Sequence, residues 1–142
     1  MTDPVPSHGV CAAAARLTPA RRKMLDILAR AGRPVGAYEL VDLMAESGKR
    51  PAPISVYRAL GYLTEKGLAH RLASKNAFVA CGHRHDAGEP VVFLICDRCG
   101  EVEEATSAGV AAELTALAEA SGFSARARVV EIAGRCARCG KD

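Results

Sequence analysis

The stretch 53–81, "PISVYRALGYLTEKGLAHRLASKNAFVAC", decides the fold of the first half of this 142-residue chain. Proline near its start and the glycine of "TEKG" are typical of the two ends of a helix. At about 100° per residue, Val56, Leu60 and Leu63 form one apolar stripe, which predicts a helix packed on a core. Two short extended runs then flank the turn-prone residues 74–76 and indicate a β-hairpin directly after the helix.

Two further amphipathic helices are predicted ahead of this stretch. Thr18 followed by Pro19 combines a hydroxyl N-cap with proline at the first helical position, and this helix should end at Gly32. The segment "AYELVDLMAESG" at 37–48 predicts a second helix with Gly48 as its C-cap. The side chains expected to face the core from these two helices are Met24, Ile27, Leu28, Leu40, Leu43 and Met44.

Three short helices followed by a hairpin predict a winged helix-turn-helix, whose third helix enters the major groove of DNA. Ser55, Arg58 and Tyr62 share one face of that helix, and Tyr57 lies between this face and the apolar stripe. Arginine is suited to guanine or phosphate, and hydroxyl groups bind phosphate or a base edge. The alternative is that these side chains only solvate a surface helix, but the order of the elements favours double-stranded DNA as the partner.

The charge distribution also favours an anionic partner for the first half. Residues 1–80 contain 12 Lys and Arg against 6 Asp and Glu, whereas residues 81–142 contain 7 against 10. Arg71 and Lys75 of the predicted hairpin add positive charge where a wing would reach the DNA backbone. Ordinary variation of surface charge is the alternative explanation of this asymmetry.

The second half is predicted to form a small α/β module. "VVFLIC" at 91–96 is a compact β-branched strand, and "GEVEEA" follows at a turn, which gives a β-(β)-α-β order with the second strand optional. The Ala/Leu-rich segment 107–122 predicts a helix, and "ARARVVEIAG" at 125–134 predicts the closing strand. Because a module of about 60 residues is marginal by its buried area alone, a metal ion or dimerisation should supply the remaining stability.

The two C-x-x-C pairs of this module predict a metal site. Cys96 and Cys99 are separated from Cys136 and Cys139 by 36 residues, and each pair ends in a glycine that lets backbone amides turn toward the sulfurs. Four thiolates form the closed tetrahedral set typical of structural Zn²⁺, which has no open position for catalysis. A redox dithiol pair and an iron–sulfur cluster are the alternatives, and both are disfavoured without a thioredoxin-like βαβ pattern around the motif.

A second set of metal-ligand side chains lies around the junction of the two halves. Its members are His70, Cys81, His83, His85, Glu89 and Glu104. A mixed set of nitrogen, sulfur and oxygen ligands binds zinc and should exchange it more readily than four thiolates. Each residue alone is weak evidence, since a single glutamate or a His-containing loop is usually a solvated polar surface. A metal bound at this junction would set the angle between the two halves.

Three segments of the chain resemble a known family. "LTPARRKMLDIL", "PISVYRALGYLTEKGLAHRL" and "FLICDRCGEVEE" are similar to segments of the ferric uptake regulator family of metal-dependent bacterial repressors, over residues 17–140. Within the family the chain most resembles the zinc uptake regulator branch, through Cys81 after "NAFVA" and through its two C-x-x-C turns, "FLICDRCG" and "GRCARCG". These turns are called the first and second knuckle. The resemblance implies a homodimer with an N-terminal winged helix, a C-terminal α/β dimerisation domain, and zinc as corepressor on operators of zinc-uptake genes.

The resemblance also implies roles for particular residues. Tyr57 and Arg58 would be the DNA-reading pair, and the four knuckle cysteines would be the ligands of a structural zinc. His70, Cys81 and Glu104 would be three ligands of a regulatory zinc.

The fourth regulatory ligand is where this chain departs from the zinc branch. The branch usually has a histidine at the position held here by Glu89, so the ligand is expected among His85, His83 and Glu89. The His-His-Asp-His cluster of the iron branch is replaced by "EPVVFLIC", which argues against iron.

The predicted class is α+β, a winged helix-turn-helix DNA-binding domain followed by a small α/β dimerisation domain. The expected parts are a flexible N-terminus at 1–16, a winged-helix domain at 17–81, a linker at 82–90 and a dimerisation and zinc-binding domain at 91–142. A cytoplasmic location is expected, because the start of the chain lacks the pattern of a signal peptide. No role is assigned to Cys11.

The sequence therefore predicts a zinc-responsive repressor with one structural and one regulatory zinc per chain. No catalytic constellation stands out, so neither an enzyme nor a small organic substrate is expected. No apolar run approaches the roughly 20 residues of a membrane span, so no membrane partner is expected either. The alternatives are a sensor of iron or manganese, and a zinc-stapled protein-interaction module without DNA binding.

Overall fold

A computed structural model of the chain describes residues 16–82, 90–125 and 128–140. The chain divides into two compact units, Met1–His85 and Asp86–Asp142. The elements are α1 (Pro19–Ala31), α2 (Ala37–Glu46), α3 (Pro53–Glu65), β1 (Ala69–Leu72), β2 (Ala77–Ala80), β3 (Val91–Cys96), β4 (Val102–Ala105), α4 (Ala108–Ala120) and β5 (Val129–Gly134). The predictions for residues 1–15, with Cys11, and for His83, His85 and Glu89 fall outside the described residues. The content is α+β, as predicted from the sequence.

The first helix, α1, begins and ends as predicted. The hydroxyl of Thr18 accepts a hydrogen bond from the amide of Arg21 at 3.3 Å, and a proline occupies the first helical position. Gly32 follows the helix with φ of 60°, a left-handed conformation that glycine adopts with little strain. Met24 and Leu28 are fully buried, so the predicted stripe is the one that packs on the core.

The second helix, α2, is capped by Ser47, so the prediction of Gly48 as its cap is wrong. The amide of Ser47 donates to the carbonyl of Met44, and that of Gly48 to the carbonyl of Ala45, each at 3.4 Å. These bonds tighten the last turn, so the helix ends before Gly48. Lys23 of α1 donates from Nζ to the carbonyl of Met44 at 3.3 Å, which places a cation at the end of α2.

The third helix packs through the predicted apolar stripe. Val56, Leu60 and Leu63 are only 1%, 0% and 0% exposed. The buried side chains that they join are Met24, Leu28, Val35, Ala37, Leu40, Val41, Met44, Leu68, Ala69 and Phe78, with Ile27 and Leu43 at the edge. Burying a side chain of this size contributes roughly 1.5–3 kcal/mol, so this stripe fixes which face of α3 remains in solvent.

The hairpin of β1 and β2 is antiparallel and forms the predicted wing. In its turn, Asn76 has φ of 45°, a left-handed value that asparagine tolerates, and its side-chain oxygen accepts a hydrogen bond from Arg71 Nη2 at 3.1 Å. Val35, between α1 and α2, exchanges two backbone hydrogen bonds with Phe78 of β2, at 2.9 and 2.8 Å. These two bonds tie the wing to the helices.

The second unit contains a three-stranded sheet in the order β4-β3-β5. Strand β4 is antiparallel to β3, so the optional second strand of the prediction is present. Strand β5 is parallel to β3, and α4 makes the crossover that parallel pairing requires. The closing strand begins at Val129, later than predicted, and the preceding residues 126–127 lie outside the described ranges.

Helix α4 exposes two of its large apolar side chains, Val110 and Leu117, within a single chain. Its N-cap is Ser107, whose hydroxyl accepts a hydrogen bond from the amide of Val110 at 3.3 Å. None of its residues is buried, and Leu117 is 68% exposed. Even so, neither α4 nor any other helix within the described ranges is long and apolar enough to cross a membrane.

Replacing the centre of the α3 stripe tests the core of the first unit. Leu60→Ala should lower the free energy of unfolding by roughly 2–5 kcal/mol, because it leaves a cavity where the native side chain is fully buried. Ile54→Ala on the same helix is the matched control, since Ile54 is 60% exposed, and it should cost less than about 0.5 kcal/mol. Urea denaturation followed by circular dichroism measures both, and equal losses would contradict the packing described.

Candidate metal centres and nucleic-acid interface

The parallel pairing of β3 and β5 brings the two C-x-x-C pairs together. Cys96 at the end of β3 lies opposite Gly134 at the end of β5, so both strands finish at the same edge of the sheet. The first knuckle, residues 96–100, and the second knuckle, residues 136–140, both begin at this edge. The amide of Asp97 donates to the carbonyl of Gly134 at 2.8 Å and extends the pairing to the base of the knuckles.

The four cysteine sulfurs form one cluster in the second unit. The Sγ atoms of Cys96, Cys99, Cys136 and Cys139 lie within 4.8 Å of one another, and the Cys99–Cys136 pair is 3.8 Å apart. Tetrahedral zinc at about 2.3 Å from each sulfur would place the sulfurs about 3.8 Å from one another. All four are free cysteines. The donor set and its spacing therefore fit a zinc ion.

A glycine in the left-handed region closes each knuckle. Gly100 has φ of 78° and Gly140 has φ of 77°, values at which an L side chain would be strained. The amide of Gly100 donates to the carbonyl of Cys96 at 3.0 Å, and that of Gly140 to Cys136 at 3.1 Å. The turns are tight enough for the amide of Cys99 to point at Cys96 Sγ, at 3.5 Å.

Backbone amides and neighbouring thiols shift the cysteine pKa values in opposite directions. The amides of Cys99 and then Cys136 donate to the sulfur of Cys96 and lower its pKa to about 6. The thiols of Cys136 and then Cys96 raise the pKa of Cys139 to about 12, because a further thiolate beside them is unfavourable. A divalent cation would supply the positive charge that lets all four sulfurs ionise together.

In the first unit, His70 and Cys81 lie on one face of the wing. His70 is in β1 opposite Val79, and it is 8% exposed. The prediction that Cys81 ends the second strand is wrong by one residue, since β2 ends at Ala80, although the amide of Cys81 still donates to the carbonyl of Leu68 at 2.9 Å. Alternate residues of a strand share a face, and the ligand atoms of His70 and Cys81 lie within 4.8 Å.

Glu104, the third predicted ligand of the mixed set, belongs to the second unit. It is on β4 opposite Phe93 of β3, and it is half-buried. The candidates for the fourth ligand, His83, His85 and Glu89, are outside the described residues.

Helix α3 exposes Ser55, Tyr57 and Arg58 to solvent. The ring of Tyr38, at the start of α2, meets the ring of Tyr57 edge to face, with centroids 6.4 Å apart and planes at 82°. This arrangement is favourable for aromatic pairs. Sequence reasoning missed Tyr38, because the contact depends on how the two helices cross rather than on a local pattern.

Tyr62 was predicted to share an exposed face with Ser55 and Arg58, but its side chain is half-buried. Its ring packs partly against the core, and the guanidinium of Arg21 from α1 lies 3.7 Å above the ring centroid. The physical reason is that α1 crosses this end of α3 and covers one side of the ring. A cation–π contact of this kind presents Arg21 at the edge of the same surface.

The wing carries the two basic side chains expected there. Arg71 and Lys75 are both exposed, and the hydrogen bond to Asn76 restrains the guanidinium of Arg71. Together with Arg58, they give the first unit an exposed surface of arginine, lysine and hydroxyl groups, which is suited to nucleic acid.

A winged-helix unit whose third helix exposes Arg58, followed by a sheet unit with four clustered cysteines, defines a winged helix-turn-helix protein with a candidate metal centre. Residues 12–133 match the ferric uptake regulator family, and the chain belongs to that family. The zinc uptake regulation protein of Escherichia coli (strain K12) is 38% identical over 124 residues, which are 87% of this chain and 72% of that protein.

Two solved structures are similar to most of the chain. The crystal structure of holo XcZur is 48% identical, with a TM-score of 0.77, and the match covers 87% of this chain and 86% of that one. A zinc uptake regulator complexed with zinc and DNA is 36% identical, with a TM-score of 0.80, over 94% of this chain and 89% of that one. The resemblance to zinc uptake regulators and the predicted fold class are therefore confirmed.

The cysteine cluster predicts which substitution removes tightly held zinc. Cys136→Ser should lose the roughly one zinc ion per chain that survives mild chelation, because one thiolate of the closed set is missing. Cys81→Ser, in the other unit, is the matched control and should retain that ion. Elemental analysis of the dialysed proteins measures both, and a zinc-loaded Cys136→Ser protein would contradict the assignment.

Proposed function

We propose that this protein is a zinc-responsive, DNA-binding transcriptional repressor of zinc-uptake genes, with zinc as the corepressor. The observation that carries the proposal is the 36% identity, over 94% of this chain, to a zinc uptake regulator complexed with zinc and DNA. An exposed polar helix in the first unit and four clustered thiols in the second supply chemistry suited to those two ligands.

The first unit is proposed to bind the major groove through α3. Arg58 is suited to the acceptor pair of guanine, and Tyr57, in contact with Tyr38, is suited to a base edge or a phosphate. Arg71 and Lys75 of the wing would contact the adjacent backbone and add no sequence information. The proposed DNA contacts are Ser55, Tyr57, Arg58, Tyr62, Arg71 and Lys75.

Two zinc sites per chain with different tasks are proposed. Cys96, Cys99, Cys136 and Cys139 would hold a structural ion, because their closed set leaves no position for exchange with solvent ligands. His70, Cys81 and Glu104 would hold the regulatory ion, with a fourth ligand among His85, His83 and Glu89. Mixed ligands suit the regulatory role, since they release zinc more readily than four thiolates.

Repression is proposed to follow from a two-state change in a homodimer. When His70, Cys81 and Glu104 share one zinc ion, the two copies of α3 would be held at one spacing, matched to successive half-sites in the major groove. Converting a mostly open population to a mostly closed one requires roughly 5 kcal/mol of differential binding. Structural zinc binding is worth about 10 kcal/mol or more, so a zinc site can supply a differential binding energy of this size.

The exposed apolar surface of the second unit supports the proposed homodimer. Leu117 of α4, Phe123 beyond it and Ile132 of β5 are 68%, 69% and 52% exposed in the single chain. A second copy that covered these side chains would add the buried area that a module of this size lacks. The protein would act in the cytoplasm on operator DNA, as a regulator rather than a catalyst.

A zinc-stapled interaction module is the alternative that the cysteine cluster alone would allow. It predicts no salt-dependent binding to duplex DNA and no response of the first unit to zinc. A sensor of iron or manganese is the alternative within the family, and titration of operator binding with each metal separates the two.

Truncating Arg58 tests the proposed DNA surface. Arg58→Ala should weaken operator binding by about 1–3 kcal/mol, roughly 5- to 150-fold, because it removes the side chain suited to guanine. Arg30→Ala, an exposed arginine in the last turn of α1, is the matched control and should bind nearly as the native protein does. Fluorescence anisotropy with zinc-saturated protein gives both affinities. Equal losses of affinity in the two variants would show that Arg58 contributes only its charge and would contradict the proposed contact.

Replacing Cys81 tests the proposed regulatory site. Cys81→Ser should abolish the zinc dependence of operator binding while the structural zinc and the fold remain, because Cys81 lies outside the four-cysteine cluster. The measurement is operator binding titrated with buffered free zinc. Native-like zinc activation of the variant would exclude Cys81 as a ligand.

A further inference from the structure

A side-chain ion pair joins the two knuckles beside the cysteine cluster. Arg138 of the second knuckle donates from Nη2 to Oε2 of Glu101, which directly follows the first knuckle, at 2.8 Å. We propose that Glu101 and Arg138 are positioning residues for zinc retention, which hold the four sulfurs in place while the metal is bound and slow its release. The inference rests on the proposal that the four cysteines bind zinc.

The ion pair is anchored at its first end by the backbone of the metal site. The carbonyl of Glu101 accepts a hydrogen bond from the amide of Cys96 at 2.9 Å, so the position of Glu101 is fixed relative to the first sulfur. Gly100, in its left-handed conformation, makes the turn that brings Glu101 back beside Cys96. The carboxylate therefore extends from a part of the knuckle that moves with the first two ligands.

At its second end, the pair restrains a segment whose backbone bonds are mostly internal. The amides of Cys139 and Gly140 both donate to the carbonyl of Cys136, each at 3.1 Å, so the second knuckle folds on itself. Arg138 lies between these two cysteines and reaches across to Glu101, 37 positions earlier in the chain. Movement of the second knuckle away from the first must break this ion pair as well as the metal–sulfur bonds.

The charge of Arg138 also suits a set of four thiolates. Zinc with four thiolates has a formal charge of two minus, and a guanidinium beside it offsets part of that charge. The same arginine contacts the carboxylate of Glu101 and stands between Cys136 and Cys139 in the second knuckle.

The first knuckle provides an internal comparison. Arg98 stands in "CDRC" where Arg138 stands in "CARC", one position before the second cysteine of each pair. Within the part of the chain that the structure describes, Arg98 has no carboxylate partner for its side chain, whereas Arg138 has Glu101. If the ion pair slows zinc release, only substitution of Arg138 should speed it. If any arginine in a knuckle has this effect, substitution of Arg98 should speed it as well.

The test measures zinc release from the full-length, zinc-loaded protein to an excess of a chromogenic chelator. A first mild chelation step strips weakly held metal, so that only the tightly held ion is followed. Arg138→Gln and Glu101→Gln should each speed release by roughly two- to fivefold, the range expected for an exposed ion pair. Arg98→Gln is the matched control and should release zinc at the native rate.

The double variant separates positioning from independent effects. The protein with both Glu101→Gln and Arg138→Gln should release zinc no faster than Arg138→Gln alone, because that single variant already removes the ion pair and the cation. Native-like release from Arg138→Gln, equal acceleration by Arg98→Gln, or multiplied effects in the double variant would each overturn the inference and leave the zinc site standing. A native protein without tightly held zinc would instead overturn the site itself and the inference with it.

Discussion

The parallel pairing of β3 with β5 is the constraint on which the second unit depends. Parallel strands end at one edge of the sheet, so Cys96 and Gly134 lie opposite each other and both knuckles start from the same place. An antiparallel β5 would carry its two cysteines to the far edge. The crossover through α4, the left-handed glycines and the contact between Glu101 and Arg138 all act around this one register.

In the first unit, the buried side chains of α3 determine which of its side chains can contact a partner. The side chains of α3 that fill the core leave only one orientation of that helix possible, and this orientation places Arg58 and Tyr57 in solvent. The backbone bonds between Val35 and Phe78 then fix the wing relative to the helices. The apolar packing of α3 therefore determines which polar side chains of the helix are exposed.

Local signals explain most of what could be predicted from the sequence. The cap at Thr18, the stripe of α3 and the C-x-x-C spacing each depend on residues close together in the chain, and the structure has all three. The contacts of Tyr38 with Tyr57 and of Arg21 with Tyr62 arise only where helices cross, so no periodic pattern encodes them. The C-cap of α2 was predicted wrongly from a local signal. Gly48 indicated the end of the helix, but the hydrogen bonds of the last turn make Ser47 the C-cap.

The register of β3 and β5 has a consequence for the nascent chain. A ribosome makes Cys96 and Cys99 well before Cys136 and Cys139, and the intervening 36 residues must also be made before the strands can pair. Until then the first pair is a bidentate ligand with ordinary affinity for soft cations. If the four cysteines bind zinc as proposed, high affinity would arise only late in translation, and tight zinc loading would report that synthesis has passed the second knuckle. Fragments that stop earlier would remain metal-poor and would be distinguishable from finished protein by that property alone.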